Sequence, residues 1–311
     1  VLSLREKQAV KKQAGAGFEP GTGPKRKIGL VPKIGPEPGA GPVQKAWSLF
    51  WKAVVLMGFI FPFLWMISTS LQTFEETMTF PPTWIPASPQ WSNFVEAMSS
   101  GPFLTYFKNS VVVTTSIIVL QLAVMIPAAY AFAQYKFFGN KILFGMVLLA
   151  FMIPGQVTFI PVYLMLADAG LIKSLWPQIL PFMSNAFGIF LLRQYFMQIP
   201  QEIIESARLD NASELKIIWK IMIPMSMPAI STVALFSFVS HWNDYFWPLV
   251  MTDSEAVRPL TMGIAMLRET EGISNWHIIM AGNVVLVVPI LIVYLFASRQ
   301  IIKAFAYSGI K

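Results

Sequence analysis

With 311 residues, 55% of them hydrophobic, only 13% charged, and a mean hydropathy of +0.58, the chain is too apolar for a water-soluble domain. In soluble domains charged residues approach roughly a quarter. The absence of cysteine excludes a disulfide framework and a thiolate nucleophile, and two isolated histidines exclude a conventional zinc centre, so neither a catalytic residue nor a metal site is expected. The net charge of +7 sits mostly at the chain ends and in short connections, a membrane-topology signal rather than a nucleic-acid surface.

In chain order, residues 1–46 hold eight glycines, six prolines and nine Lys/Arg with almost no apolar periodicity. Such a segment cannot bury enough surface to offset its ordering entropy, which predicts a flexible basic cytoplasmic tail. A docking or lipid-binding arm is the functional alternative, since basic segments beside membranes attract anionic headgroups. The compact apolar core of a cleaved signal is missing.

Residues 47–311 then read as one all-α membrane domain with six apolar runs, at roughly 48–70, 110–133, 142–166, 175–196, 228–250 and 278–299. Each is near the about 20 residues that a helix needs to cross the hydrocarbon core. Pro62, Pro127, Pro154, Pro161, Pro177, Pro248 and Pro289 fall inside these runs and predict kinks that neighbouring helices must re-satisfy. With the N-terminus in the cytoplasm, eighteen Lys/Arg fall on the cytoplasmic side and four (Lys108, Lys173, Arg258, Arg268) on the other; Lys52 can snorkel from the first run. Both termini are therefore expected in the cytoplasm.

This topology puts "ESARLDNASELKIIWKIMIP", residues 205–224, on the cytoplasmic side. Its acids and bases suit either catalysis or docking to another protein. Pro200, Glu202 and Glu205 open a short amphipathic helix, with the acids where the helix dipole favours them. Asp210-Asn211 breaks it, because asparagine tolerates the left-handed conformation better than any residue but glycine. Asn211 and Glu214 together read as a capping-box-like start for a second helix, Leu215 to Ile223, which Pro224 and Pro228 end or kink.

The stretch resembles the "EAA" motif of ABC-importer permease subunits, carried here by Glu205, Ser206, Ala207, Asp210, Asn211, Ala212 and the Ile221-Met222-Ile223-Pro224 end. Ser206 stands for the usual alanine and Asn211 for the usual glycine. The resemblance extends over 47–311 to the maltose-type, carbohydrate-uptake branch, through "TWIPASPQWSNF", "AAYAFAQYKFFGNK", "MIPGQVTFIPVYLML", "NAFGIFLLRQYFMQIPQEIIESARLDNAS" and "HWNDYFWPLV"; the C-terminal "IIKAFAYSGIK" fits less well, with Ala304 where glycine is usual. It implies a six-helix permease of the bacterial inner membrane, with a cytoplasmic coupling helix seated in an ATPase subunit. There Glu205 would anchor, Ala207 and Ala212 allow close approach, and Asn211 make the turn. The implied partners are a second permease, two ATPase subunits, an external substrate-binding protein, membrane lipid and a carbohydrate. The chain has no G-x-x-x-x-G-K-[ST] loop to cradle phosphates, so it is expected to bind no cofactor, with ATP and magnesium used by the partner ATPase.

For the substrate path, Ser237, Ser240, Asp244 and Trp247 recur at helical spacing, flanked by His241 and Asn243; Asn185, Gln156 and Tyr163 are further candidates. Asp244 is an intramembrane acid. The bland readings are that the serines bond their own backbone and that Asp244 sits in an interfacial aromatic belt with Trp242, Tyr245 and Trp247. Outward connections carry eight acids (Glu75, Glu76, Glu96, Asp168, Asp253, Glu255, Glu269, Glu271) against four bases, which favours a neutral oligosaccharide over an oligouronate or glycerol phosphate. An ion-coupled secondary carrier would need more intramembrane ionisable groups than Asp244 and Lys52. An intramembrane enzyme would need a nucleophile paired with a base, and nothing pairs with His241 or His277.

Because the chain has no cysteine, the topology is directly testable: cysteines introduced at Ser213 and Ser254 should react with an impermeant thiol reagent from opposite sides of the membrane. Labelling of both from outside in intact cells would refute it.

Overall fold

A computed structural model describes residues 41–268 and 275–308, with side chains up to residue 298. The expected tail lies outside these residues except at its end, as do Glu269, Glu271 and residues 309–311. The end of the tail is a correction. Helix α1 (Pro42–Ser70) starts inside it, because Gly41 caps the helix and Pro42 at the first position has its φ preset and no N–H to lose.

All elements among the described residues are helical. The short α2 (Phe74–Met78) and α3 (Ser92–Ser99) follow α1 and lead into α4 (Phe103–Gln134). Next come α5 (Asn140–Met152), α6 (Gly155–Asp168), α7 (Trp176–Ile179) with a 3₁₀ turn (Leu180–Phe182), and α8 (Ala186–Phe196). The segment α9 (Gln201–Leu209), α10 (Glu214–Ile217), a π turn (Ile218–Met222) and α11 (Ile223–Met225) precedes α12 (Met227–Trp242) and α13 (Phe246–Met251). A 3₁₀ turn (Glu255–Val257), α14 (Leu260–Met266) and α15 (Trp276–Ser308) complete the chain.

Among the described residues three helices, α1, α4 and α15, are long and apolar enough to cross a membrane singly, and two bent helix pairs raise the number to five if each pair is one span. The runs expected as continuous at 142–166, 175–196 and 228–250 are each interrupted, for local reasons. Pro154 disfavours helical backbone at the residue before it; Ile153 is accordingly extended, and α5 and α6 meet at 96°. Pro177 and Pro181 break the second run until the Asn185 side chain caps α8 by accepting the Gly188 N–H at 3.0 Å. In the third, Pro248 offers no N–H to the Asp244 carbonyl, which instead accepts the Thr261 hydroxyl at 2.8 Å, and α12 stops at Trp242. Pro62, Pro127, Pro161 and Pro289 remain inside helices.

The core gathers on α4. Its C-terminal half packs against α8 and α12 through Met125, Ile126, Ala129 and Tyr130, facing Ile189, Leu192 and Val233. Its other end meets α14, and α15 packs against α12, α1 and α3. By contrast α1 buries only Thr69 and Ser70, and α5 buries nothing; such all-round apolar helices require lipid or another chain around them.

Where α14 crosses α4, the contact depends on Gly263. A Cβ there would lie 2.3 Å from the Tyr106 ring, and the ring is held in place because its hydroxyl donates to Glu255 Oε1 at 2.8 Å. Gly263→Ala should therefore cost about 1–3 kcal/mol, as overpacking does. Gly58→Ala on open α1 meets nothing within 4 Å. Thermal unfolding in detergent should show a lowered midpoint for the first and none for the second; equal midpoints would contradict the packing.

Candidate functional site

The segment 201–224 is built onto the membrane body by alternating burial. Ile204, Ile217 and Met222 are fully buried in the same core as Met125 and Leu192, while Glu205, Ser206, Asp210, Asn211 and Pro224 are exposed. The turn between α9 and α10 is a Schellman motif. The Ala212 N–H donates to the Ala207 carbonyl and the Asn211 N–H to the Arg208 carbonyl, both at 3.0 Å, with Asn211 at φ 56°. It is the one non-glycine residue with positive φ among those described, so the left-handed turn falls where the sequence places it. The small side chains Ala207 and Ala212 are half-buried and pack inward against the core, so the structure turns them toward the membrane body rather than outward.

One expectation for the second half of the segment is corrected. The helix cap is Ser213, whose hydroxyl accepts the Lys216 N–H, not Asn211. The helix expected from Leu215 to Ile223 forms, running unbroken from Glu214 to Met225 with a π turn at Ile218–Met222, and the chain then bends by 81° into α12 at buried Ser226. Pro224 and Pro228 withhold two N–H groups around that bend, which is why the ladder does not run through.

Glu214, released from a capping role, reaches back over the turn. Arg208 Nε donates to Glu214 Oε1 at 3.0 Å, and the Tyr130 hydroxyl of α4 donates to Glu214 Oε2. Arg208 also donates to the Tyr130 oxygen at 3.4 Å and lies 5.6 Å from the ring centre of Tyr135, just past the end of α4. Burial by itself would raise the Glu214 carboxyl. The hydrogen bonds from Arg208, then Tyr130 and Tyr135, outweigh it and hold the carboxyl below its ordinary range. The pair is thus fully formed above the ordinary carboxylate range and is lost only as pH falls through that lowered value. Its side chains are 33% and 43% exposed, so screening leaves it worth no more than about 1 kcal/mol of stability. What the contacts provide is geometry. Sequence reasoning missed Tyr130 and Tyr135 because they lie far away in the chain, although both occur in "AAYAFAQYKFFGNK". It also missed that Leu209 and Leu215, 84% and 68% exposed, flank the turn with Trp219 beyond; apolar residues interrupting a charged face were the available signal.

The candidate path residues separate. Asp244, Gln156 and Trp247 come together with Gly155, Phe182 and Phe246 around an open pocket of about 350 Å³, where the breaks before α6 and before α13 meet. Asp244 Oδ1 accepts the Trp247 N–H at 3.2 Å, and buried Trp247 donates from Nε1 to the Pro177 carbonyl at 2.9 Å. The stripe of Ser237, Ser240, Asp244 and Trp247 does not form, because α12 ends before Asp244. Ser237 is buried, Ser240 exposed, and Asn243 turns its amide back to the Val239 carbonyl at 2.9 Å. Asn185 serves as the α8 cap, and Tyr163 packs beside Leu166. His241 packs against Phe182 with the two rings tilted at 56° and their centres 4.7 Å apart. Among the described residues no three acidic or histidine side chains gather as a metal-ligand set.

Residues 125–306 match the family model described as binding-protein-dependent transport system inner membrane component. The arabinooligosaccharides transport system permease protein of Halalkalibacterium halodurans is 32% identical over 81% of this chain and 91% of its own length. The sn-glycerol-3-phosphate transport system permease protein of Yersinia pestis is 27% identical over 84% and 96%. Among solved structures, a chain of a bacterial ABC transporter involved in the import of the acidic polysaccharide alginate superposes with a TM-score of 0.74 at 24% identity, covering 84% of this chain and 99% of that one.

Proposed function

The chain belongs to the binding-protein-dependent transport system inner membrane component family, and on that premise we propose that it is a carbohydrate permease subunit of an ATP-driven ABC importer. It forms half of a pathway completed by a second permease and fed by an external substrate-binding protein. Two ATPase subunits supply the energy, and the chain itself catalyses nothing. The domain is 47–311 with its helix starting a few residues earlier, in a bacterial-type inner membrane with both termini cytoplasmic. Six crossings are reached if α1, α4, α15 and the two bent pairs are joined by the α7–α8 segment. The exposed apolar faces of α1 and α5 suit lipid and the second permease.

One observation carries the coupling role. The segment 201–224 presents a sharp turn, with Glu205, Leu209 and Leu215 exposed at its tip, on a base fully buried in the membrane body. Exposed leucines beside an anchoring carboxylate suit a cleft in the ATPase, whereas an idle cytoplasmic loop has no use for them. Leu209→Asp removes an anchor without touching the fold and Glu205→Ala removes the charge. Each should lower ATP-driven uptake in vesicles by roughly tenfold or more, the equivalent of about 1.4 kcal/mol of docking. Asn211→Gly, which enters the left-handed region freely, should retain uptake. Full uptake with normal ATPase stimulation in both tip variants would defeat the assignment.

For the cargo we propose a neutral oligosaccharide, on the pathway side lined by Gln156, Asp244, Phe182, Phe246 and Trp247. Aromatic faces and an amide suit a pyranose, and the pocket contains a carboxylate with no cation to pair an anion. An anionic cargo, an oligouronate or glycerol phosphate, is the second reading, favoured by the named cargo of the glycerol phosphate relative. In ATP-dependent vesicle uptake, neutral sugars should compete and oligouronates or glycerol phosphates should not. Uptake that only anions inhibit would reverse the choice, and uptake driven by an ion gradient without ATP would exclude the importer.

A further inference from the structure

We propose that Tyr130 is a positioning residue that, with the Arg208–Glu214 bridge, fastens the coupling turn to α4, and that α4 transmits the movement of that turn to the opposite side of the membrane as a strut. This inference rests on the reading of 201–224 as the ATPase-docking segment.

The two ends of α4 are both tied by side-chain hydrogen bonds to segments distant in sequence. At its C-terminal end, Tyr130 meets Glu214 and Arg208, 84 and 78 residues away. The bridge closes across the Schellman turn, so α9 and α10 cannot hinge about Asn211 without parting Arg208 from Glu214. Tyr130 joins that closed unit to α4 at a point where Ala129 and Met125 are already fully buried. At its N-terminal end, Asn109 Nδ2 donates to the carbonyls of Ala256 and Arg258 at 2.8 and 2.9 Å. The Leu260 N–H donates to Ser110 Oγ at 2.8 Å, and Tyr106 donates to Glu255 at 2.8 Å. The connection 255–260 is therefore built onto α4 as firmly as the coupling turn is.

The whole helix has 32 residues, and from Asn109 to Tyr130 it rises about 32 Å at 1.5 Å per residue, about the thickness of the hydrocarbon core. Pro127 removes one internal bond, but it sits between buried Ile126 and Ala129, which hold the helix against α8 and α12. A continuous helix fixed at both ends moves its far end when its near end moves. The same displacement applied to an unfastened turn would be taken up locally, in the soft dihedrals around Asn211 and in the π turn.

The test uses the assembled importer in vesicles, with a single cysteine in place of exposed Ala256 and an impermeant thiol reagent on that side. Binding of ATP with vanadate should change the labelling rate severalfold in the parent. In Tyr130→Phe, which loses only the hydroxyl, that change should shrink by at least half, and uptake per ATP hydrolysed should fall while the ATPase still copurifies. Glu214→Gln should have a similar effect, and the double variant should be no worse than either single, since both cut one link. An ATP effect absent from the parent, or equal in parent and Tyr130→Phe, overturns the strut, as does additivity of the two variants. If instead Glu205→Ala and Leu209→Asp leave the coupling ratio intact, it is the docking reading that has failed.

Discussion

A side-chain carbon at position 188 would sit 2.2 Å from Met125 Sδ and 3.2 Å from Val233, and the packing of α8 against α4 and α12 depends on its absence. Gly188 lets α8 approach both α4 and α12 closely enough for Leu192, Ile189 and Val233 to close around Met125 and Ala129. Small residues at such crossings are the expected device where lipid gives helices no hydrophobic reason to associate. Arg193, one turn further along α8, then lies 4.1 Å over the Phe144 ring of α5 and donates to the Phe132 carbonyl of α4 at 3.2 Å. On this platform the buried residues Ile204, Ile217 and Met222 seat the segment 201–224, so its position is inherited from the packing of three helices.

The same apolar setting makes each break in a helix expensive, since freed backbone groups must find partners away from water. The breaks accordingly come with substitutes: the Asn185 amide oxygen before α8, the Asp244 carboxylate before α13, and the Thr261 hydroxyl on the Asp244 carbonyl. Some polar atoms nearby keep no protein partner, notably Thr114 Oγ1 and Gln178 Oε1. Both residues line a small cavity of about 10 Å³ with His241 and Asp244, a volume near that needed for one water. Polar groups in the bundle thus cluster where the helices are interrupted, which is also where the larger open pocket lies. Irregular backbone at membrane depth is tolerated where it is buried in protein or lines a cavity, and both conditions meet here.

How much of this the sequence disclosed follows from the range of the interactions involved. Helices α1, α4 and α15 are uninterrupted apolar runs, and their hydropathy alone locates them. The break at Ile153 and the end of α12 depend on which of several prolines a neighbouring segment can accommodate; Pro127 and Pro289 are absorbed, Pro154 is not, and hydropathy carries no such distinction. The stripe from Ser237 to Trp247 assumed a helix through Asp244, where the chain instead breaks between Trp242 and Phe246. At the turn between α9 and α10, the left-handed residue was legible because Asn211 is intrinsically suited to it, whereas the capping residue was displaced by two positions because Glu214 is drawn away by Tyr130. No local pattern announces a partner 84 residues off.

That displacement bears on why the turn has the residues it has. A Glu214 engaged in a capping box would satisfy backbone N–H groups and leave Arg208 and Tyr130 without their acceptor. Ser213 instead takes the capping task with a hydroxyl, which frees a carboxylate for the link to α4. The exchange adds little to stability, because the bridge is partly exposed and screened. Its effect is on compliance. With the bridge in place, Leu209 and Leu215 project from a turn whose two helices are tied to each other and to α4. A glycine at 211 would keep the turn's shape but not this stiffness on its own, since the stiffness resides in the side chains that reach across it. The shape of the segment 201–224 therefore follows from backbone preference, and its link to α4 follows from three polar side chains brought together by the fold.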